Sequence, residues 1–593
     1  MKNTVIRIAA IMLMLGFSVS CNLEPETVDF TAQDGRDEVG ASAGKSDGPF
    51  SDCELQQILS WVNDQQSTYE RLVSAGIHKR AATHIAAYRA GSDEYLGTAD
   101  DQLFATIQAL DTVPYVGPVA FRQMAAHVAP LCQNTSWETE VIFSPQAYNE
   151  SHLARVTALI DGAQHSVDVA IYSFRDNGVF EALQNATARG VSVRVLFESA
   201  HKDKNDPEGT MSAKLEDTGA DVRYVNKIMH HKFAIIDGPR LSSLEALSGI
   251  LITGSGNWSH SAGTRFDENT VIINGHQEAL LRYQQEFNLL WNYSRDLVWN
   301  NSLEWFASAT ISDDMIVNDP NFDALFTSNN FEIKHSATYG PTFTIVNGMN
   351  TVSDRLVELI WSANHSIKVA SGHLRSRPVS QAILERRQAD PMLEIVVYLD
   401  GQEYISESGH NKQTQKVEQC IQDAGDSESK QQSCMNKGFL FSYLLQEAGV
   451  DLRYKYYSYR WHYSYAEQMH NKYMILDDTT VVSGSYNLSD NAEHNTMENI
   501  AIYRFNGFPE LVSSFVQNLN SIWVTGETEG LYAALMDNIQ NGTSNTFPIV
   551  FDPMALNWDE VTALKAAIRA YCPDINSEDY RKNPQDHRVC ERN

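Results

Sequence analysis

"MHHKFAIIDG" (residues 229–238) and "MHNKYMILDD" (469–478) each place a histidine, a lysine two positions on and an aspartate five beyond that. The residues are His230, Lys232 and Asp237 in the first copy and His470, Lys472 and Asp477 in the second. His231 does not fit the pattern, because only His230 stands two residues before Lys232. "KFAIID" and "KYMILD" read as strands packed into a core. Alternate residues of a strand share a face, so the imidazole and the ammonium project together.

The order continues downstream. "GSGNW" supplies Ser255 and Asn257, and "GSYNL" supplies Ser485 and Asn487. Eleven residues beyond each asparagine stands a Glu–Asn pair, Glu268–Asn269 and Glu498–Asn499. Upstream, Ile160, Ala163, His165, Ser166, Val169 and Ala170 recur 200 positions later as Ile360, Ala363, His365, Ser366, Val369 and Ala370. In the first copy "HSVDVAIYSF" is a buried strand, "NGVFEALQNATARG" a helix ending at Gly190, and "VSVRVLFES" the next strand. The matching strands of the two copies end at Glu198 and Asp400. Such β-α-β units favour a mostly parallel sheet. The repeat divides the chain into two α/β halves, 137–300 and 325–525, with residues 526–593 as a capping tail. A chain of 593 residues is too long for one core, which agrees with several domains.

Each half supplies a base, a cation, a hydroxyl, an amide and a carboxylate. A lysine competes with a metal ion and no carboxylate cluster accompanies it, so the set suits a metal poorly. It suits a phosphate. Lysine and asparagine can donate to phosphate oxygens in the transition state. One histidine can attack phosphorus while a second protonates the leaving oxygen.

H-x-K-x4-D followed by G-S-x-N, twice in one chain, resembles the phospholipase D superfamily. The resemblance implies that the two halves pack about a pseudo-twofold axis and that both motifs meet in one site. It makes His230 the expected nucleophile and His470 the expected acid, then the base for water. Lys232, Lys472, Asn257 and Asn487 would hold the phosphate, with Ser255 and Ser485 assisting. Glu268 and Glu498 would orient the histidines across the interface. Asp237 and Asp477 belong to the motif, but either join the catalytic set or tie the motif strand to its neighbours. The scheme requires no metal and no cofactor, and with both motifs in one chain a monomer is expected. Copy one departs from the usual spacing. Sixteen residues separate Asp237 from Gly254, against six between Asp477 and Gly484. The extra "GPRLSSLEALSG" reads as a lengthened turn that leaves the site intact but bears on the approach to it.

The termini carry different signals. Residues 1–21 read as an export signal: Lys2 and Arg7 flank the start, Ile8 to Phe17 is mostly apolar, and "FSVSCN" resembles a lipobox whose Cys21 is lipidated. Residues 22–50 are acidic and Gly/Ser-containing, a tether. Removing Cys21 leaves six cysteines in three sequence-local pairs, Cys53 with Cys132, Cys420 with Cys434 and Cys572 with Cys590. In an exported chain these suggest disulfides, and no C-x-x-C points to zinc. Residues 51–133 read as a small helical module, in which "DTVPYVGPVAFRQMAAHV" resembles a helix-hairpin-helix. In that family the turn holds a DNA phosphate, while packing or docking is the plainer role.

The substrate is the weakest reading. "VDVAIYSFRDNGVFEALQNATARGVSVRVLF" resembles the small nuclease and cardiolipin-hydrolase branch of the superfamily. Lys plus Arg number 45 and Asp plus Glu 75, a net charge of -30 that repels polyanions at long range. "RYKYYSYRWHYSY" (453–465) sets aromatic and basic residues just before His470, where they could stack bases, sit at a lipid interface or form an ordinary strand with one buried aromatic face. Export to a bacterial envelope places lipid at hand. The expected activity is phospholipase D-type hydrolysis of phospholipid headgroups at a membrane reached through the N-terminal anchor. An extracellular nuclease is second, ahead of a phosphatidyl transferase and a non-catalytic binding lipoprotein.

Overall fold

Each copy of the repeat builds one eight-stranded sheet. The computed structural model describes residues 50–571, apart from 65–66, 94, 97–99, 133–136, 241–242, 298–310, 317, 337–339, 458–465, 525–528, 542–545 and 549–550, and the strand Val589–Glu591. The export signal, Cys21 and all but the last residue of the tether lie outside the described residues.

In the first sheet the strands run Glu138–Ser144, Glu268–Asn274, Ile250–Gly254, Lys232–Ile236, Ser166–Ile171, Ser192–Phe197, Asp221–Tyr224 and Arg295–Asp296. The second sheet runs Phe322–Phe326, Asn499–Arg504, Thr480–Gly484, Lys472–Leu476, Ser366–Ser371, Glu394–Asp400, Asp451–Tyr456 and Met554–Asn557. The central strand and the H-x-K-x4-D strand occupy equivalent places in both. The sheets are mixed rather than mostly parallel. Only the β-α-β strands pair in parallel. Each H-x-K-x4-D strand lies antiparallel to the central strand and to the G-S strand that follows it. In the second half the short connection from Leu476 to Thr480 requires the antiparallel pairing with the G-S strand, because only antiparallel neighbours can be joined by a short turn.

The Ser166–Ile171 strand is buried along its whole length, as its continuous apolar pattern requires. One apolar cluster, including Phe233, Phe287, Tyr473 and Phe515, draws on both halves. Separate clusters cover the outer faces of the first and second sheets. The Met554–Asn557 strand edges the second sheet, and the helix Trp558–Tyr571 packs Val561, Leu564 and Ile568 into its outer core. The strand Met554–Asn557 and the helix Trp558–Tyr571 therefore belong to the second half.

The helical module has its own core around Ile58, Leu72, Phe121 and Met124. Its longer helices are Asp52–Asn63, Lys79–Arg89 and Pro118–Cys132. Gly76 turns the chain before the second and Tyr115, at φ 66°, before the third. Leu244 and Leu247 pack against this core. They come from the long turn after Asp237, so that turn carries a docking surface for the module. It follows the motif strand at the end remote from the histidines and is no part of the approach to them. The same turn sends Arg240 into the first half. There Asp168 bonds Arg194 at 2.6 and 2.7 Å and also receives Arg240. Burial alone would raise the Asp168 carboxyl, but the two guanidinium groups outweigh it and hold it well below the usual range.

Cys420 and Cys434 form a disulfide that clamps the helices Glu407–Ala424 and Glu428–Met435, the insertion peculiar to the second half. Cys132 is also disulfide-bonded. The side chains of Cys53, Cys572 and Cys590 lie outside those described.

Candidate active site

His230 and Lys232 sit at the end of their strand beside the C-terminal end of the central strand, and His470 and Lys472 occupy the same place in the second half. The halves are joined here by exchanged backbone contacts. The His230 N–H donates to Met497 O at 3.1 Å, and the His470 N–H to Asp267 O at 3.0 Å. Each histidine thereby meets the glutamate of the opposite half. His470 Nδ1 hydrogen-bonds Glu268 Oε1 at 2.7 Å. His230 Nδ1 lies 2.8 Å from Glu498 Oε1, but out of line for a hydrogen bond.

The lysines are buried in the same site. Lys232 Nζ donates to His230 O and Lys472 Nζ to His470 O, both at 2.7 Å. Lys472 Nζ also lies 3.1 Å from His470 Nδ1. Lys232 Nζ instead sits 5.2 Å from the Tyr172 ring centre. Burial pulls the lysines down to about 7 for Lys232 and about 8 for Lys472. Burial also lowers His230, and Lys232, Lys472 and His470 lower it further, so both motifs act on one another's charge. Burial lowers His470 to about 4 although Glu268 opposes the shift. An anion placed here would reverse these shifts, since an opposite charge favours the protonated form.

Asn257 turns its Oδ1 to the Ser173 N–H at 3.3 Å. Asn487 Oδ1 is buried without a hydrogen-bond partner. Both asparagines are half-buried. The serines differ from expectation. Ser255 and Ser485 are fully buried, and their hydroxyls accept the N–H of Asn269 at 2.9 Å and of Asn499 at 3.0 Å. They also touch Glu268 and Glu498. They hold the Glu–Asn pairs in place.

The motif aspartates stand apart. Asp237 accepts the N–H groups of Gln164, His165 and Ser166, and Asp477 those of Asn364, His365 and Ser366. They cap the start of the central strand, five residues and about 16 Å along the strand from the lysines. Of the two roles open to them, the structure places them in the tie and outside the catalytic set.

Several groups escaped the sequence reading. Asn269 Nδ2 donates across the interface to Asn471 Oδ1 at 2.9 Å, and Asn499 Nδ2 approaches His231 Nδ1 at 2.9 Å. His231 Nε2 in turn meets Glu286 at 3.1 Å. The Tyr172 ring lies tilted 4.6 Å from that of His230, and the Phe266 ring 6.0 Å from that of His470. Glu198 and Asp400 accept the backbone N–H groups of Met229 and Met469. Their position in the repeat was the available signal. Of the aromatic run 453–465, Tyr454 is buried, Lys455 pairs with Asp267 at 2.9 Å and Tyr457 bonds Asp400, while 458–465 lie outside the described residues. A groove of 990 Å³ separates Arg375–Pro378 from the disulfide-closed insertion, and its charges are mixed, with Arg377 and Lys437 against Asp354 and Glu428.

The family described as cardiolipin synthase, PLD-like domain, matches residues 156–291 and again 356–523, together just over half of the chain. The chain belongs to this PLD-like family. It is 30% identical over 149 residues to the mitochondrial cardiolipin hydrolase of Xenopus tropicalis, covering 25% of this chain and 64% of that protein. To the mitochondrial cardiolipin hydrolase of Homo sapiens it is 32% identical over 146 residues, 24% of this chain and 52% of that protein. The chain thus spans less than two thirds of the length of these curated relatives. Among solved structures, Nuc from Salmonella typhimurium, a phospholipase D family member, is 24% identical and covers 27% of this chain and 98% of its own, at a TM-score of 0.22. The phosphatidylserine synthase of Haemophilus influenzae Rd KW20 is 12% identical, covers 66% and 90%, and has a TM-score of 0.41. Both PLD-like halves thus carry the family match, and each holds one histidine–lysine pair.

Proposed function

We propose that this PLD-like protein is a phosphodiester hydrolase that works through a phosphohistidine, and that its substrates are phospholipids cleaved at the headgroup. One observation carries the chemistry: two histidines, each paired with a glutamate of the opposite half, converge with two buried lysines. The His230 Nε2 lone pair attacks phosphorus, and the bond to the leaving oxygen breaks as His470 Nε2 gives that oxygen its proton. Water then attacks the phosphohistidine and passes a proton to His470, and the N–P bond breaks. Phosphatidate and a free headgroup leave, with both histidines restored. Lys232, Lys472, Asn257 and Asn487 hold the phosphate oxygens. The histidine environments suit these roles. Burial and neighbouring cations depress His230, favouring a neutral nucleophile, whereas His470 holds a hydrogen bond to an ionised carboxylate that favours its protonated form.

Two observations favour lipid over nucleic acid. The net charge of -30 opposes a polyanion, and the curated relatives are named cardiolipin hydrolases. Export and lipidation at Cys21 would hold the enzyme at an envelope membrane. Among the described residues no helix is long and apolar enough to cross a membrane. The test is headgroup release from mixed phospholipid vesicles in EDTA by wild type and His470→Ala. Release by wild type alone supports the reading. No release from any headgroup class, with cutting of DNA or RNA by the same preparation, moves the assignment to the nuclease.

A further inference from the structure

A carboxylate stands at the end of the strand after the first β-α-β helix in both halves, Glu198 just beyond Phe197 and Asp400 as the last strand residue. Neither belongs to the H-x-K-x4-D or G-S-x-N pattern. Glu198 Oε2 accepts the Met229 N–H at 2.7 Å, and Asp400 Oδ2 accepts the Met469 N–H at 3.0 Å. Those methionines immediately precede His230 and His470 and are themselves 1% exposed.

Successive N–H groups along an extended chain point to opposite sides. The histidine N–H points to the other half, at Met497 O or Asp267 O. The methionine N–H points back into its own half. Without the carboxylate it would be a buried donor with no partner, which costs about 1–3 kcal/mol. The histidine backbone is thus held from both sides. One hold crosses the interface, and the other comes from the carboxylate of the same half. Two carboxylates of different length achieve the same bond in the two halves. Asp400 is the more tightly enclosed, because it also accepts the Gln402 N–H and the Tyr457 hydroxyl.

We propose that Glu198 and Asp400 are positioning residues that set His230 and His470 against the glutamates of the opposite halves by gripping the backbone just before each histidine. The idea rests on the proposed phosphohistidine chemistry for its kinetic consequence but not for its geometric one. A misplacement of about 1 Å can cost roughly 100-fold in rate. The bond needs an acceptor oxygen and no charge, so an amide can replace the carboxylate.

The test combines turnover of bis(p-nitrophenyl) phosphate with diethyl pyrocarbonate labelling of His230 and His470, mapped by mass spectrometry on the full chain. Glu198→Ala and Asp400→Ala should lower kcat by about 10–100-fold with KM within about twofold, and Glu198→Gln and Asp400→Asn should recover most of it. Glu198→Ala should change the labelling rate of His230 and spare His470, and Asp400→Ala should do the reverse. Alanine variants that label like wild type overturn the proposal, as do amide variants no better than alanine. Should an alanine variant fail to fold, Glu198→Asp and Asp400→Glu shift the reach by one methylene, and the same labelling readout decides. A wild type that turns over neither this diester nor phospholipid vesicles defeats the proposed function, while the labelling pattern still decides the positioning role.

Discussion

His470 and Glu268 meet in a hydrogen bond of 2.7 Å, while His230 and Glu498 approach to 2.8 Å without lining up for one. The residue types are the same, and the neighbours make the difference. The Lys472 ammonium reaches the His470 ring, whereas the Lys232 ammonium faces Tyr172. Where the first half has Tyr172, the second has Gly372, at which a Cβ would come within 2.9 Å of Met469 O. The glutamates diverge with them. Burial opposes ionisation of Glu268, but His470 and Lys472 hold its carboxyl below the usual range. Burial raises Glu498 to about 7 despite Lys232. A repeated motif has thus become two unlike half-sites, which under the proposed displacement would bias one imidazole to the neutral form and the other to the protonated form.

The largest effects should come from the histidines. His230→Ala and His470→Ala should each lose about 10³-fold or more in vesicle hydrolysis. They should part on bis(p-nitrophenyl) phosphate, whose leaving group needs no acid. His470→Ala should still release a burst of p-nitrophenol in stopped flow, and His230→Ala should not. Equal bursts would erase the division of labour.

The glutamates should be unequal. Glu268→Gln removes an ionised, in-line partner and should cost about 100-fold in kcat. Glu498→Gln replaces a carboxyl already drawn toward neutrality and should cost about tenfold or less. Steady-state kinetics at neutral pH would show it, and a reversed order would contradict the asymmetry.

The structural ion pairs sharpen the comparison away from the chemistry. Arg240→Ala strips one partner from buried Asp168 and should cost about 3 kcal/mol in urea unfolding. The second half has Lys368 at the equivalent place, paired with Asp478 and Glu394 nearer the surface. Lys368→Ala should cost about 1 kcal/mol or less. Asp237→Asn and Asp477→Asn weaken the caps on the central strands and should cost about 1–3 kcal/mol of stability. Their kcat per folded molecule should stay near wild type, which a catalytic role for these aspartates would not allow.

His470 and Glu498 should contribute to the pH dependence of stability with opposite signs. His470 is lowered from 6.5 to about 4 on folding, so the unfolded chain binds more protons between these values. Its contribution is present above pH 6.5 and is lost as pH falls toward 4. Glu498 is raised from 4.5 to about 7, so the folded state binds the extra proton, and its contribution is lost as pH rises through that window. Glu498→Gln should therefore gain in melting temperature over wild type between pH 5 and 8. A constant difference would refute the shift.

The two α/β halves, the strand–helix–strand order and the residues that converge at the site were legible because each leaves a local mark. The marks were apolar runs for the strands, Gly190 for the helix end and fixed spacing for the motif. What was not legible depends on chain direction and on contacts between distant segments. The periodicity of "KFAIID" announces a strand but not its direction, so the sheets were expected to be mostly parallel. Ser255 and Ser485 read as phosphate ligands because a hydroxyl in a motif carries no sign of its burial. Nothing local shows that "GPRLSSLEALSG" reaches Asp168 with Arg240 and the helical module with Leu244 and Leu247. The grip of Glu198 and Asp400 needed the fold to bring residues 31 and 69 positions apart together.

The most direct test of the central claim is to stop turnover of a soluble phosphodiester within its first cycle by alkaline denaturation and to map the phosphoryl adduct by mass spectrometry. The account predicts an adduct on His230 in wild type and its accumulation in His470→Ala. An adduct on His470, or steady turnover with no adduct on either histidine, would contradict it.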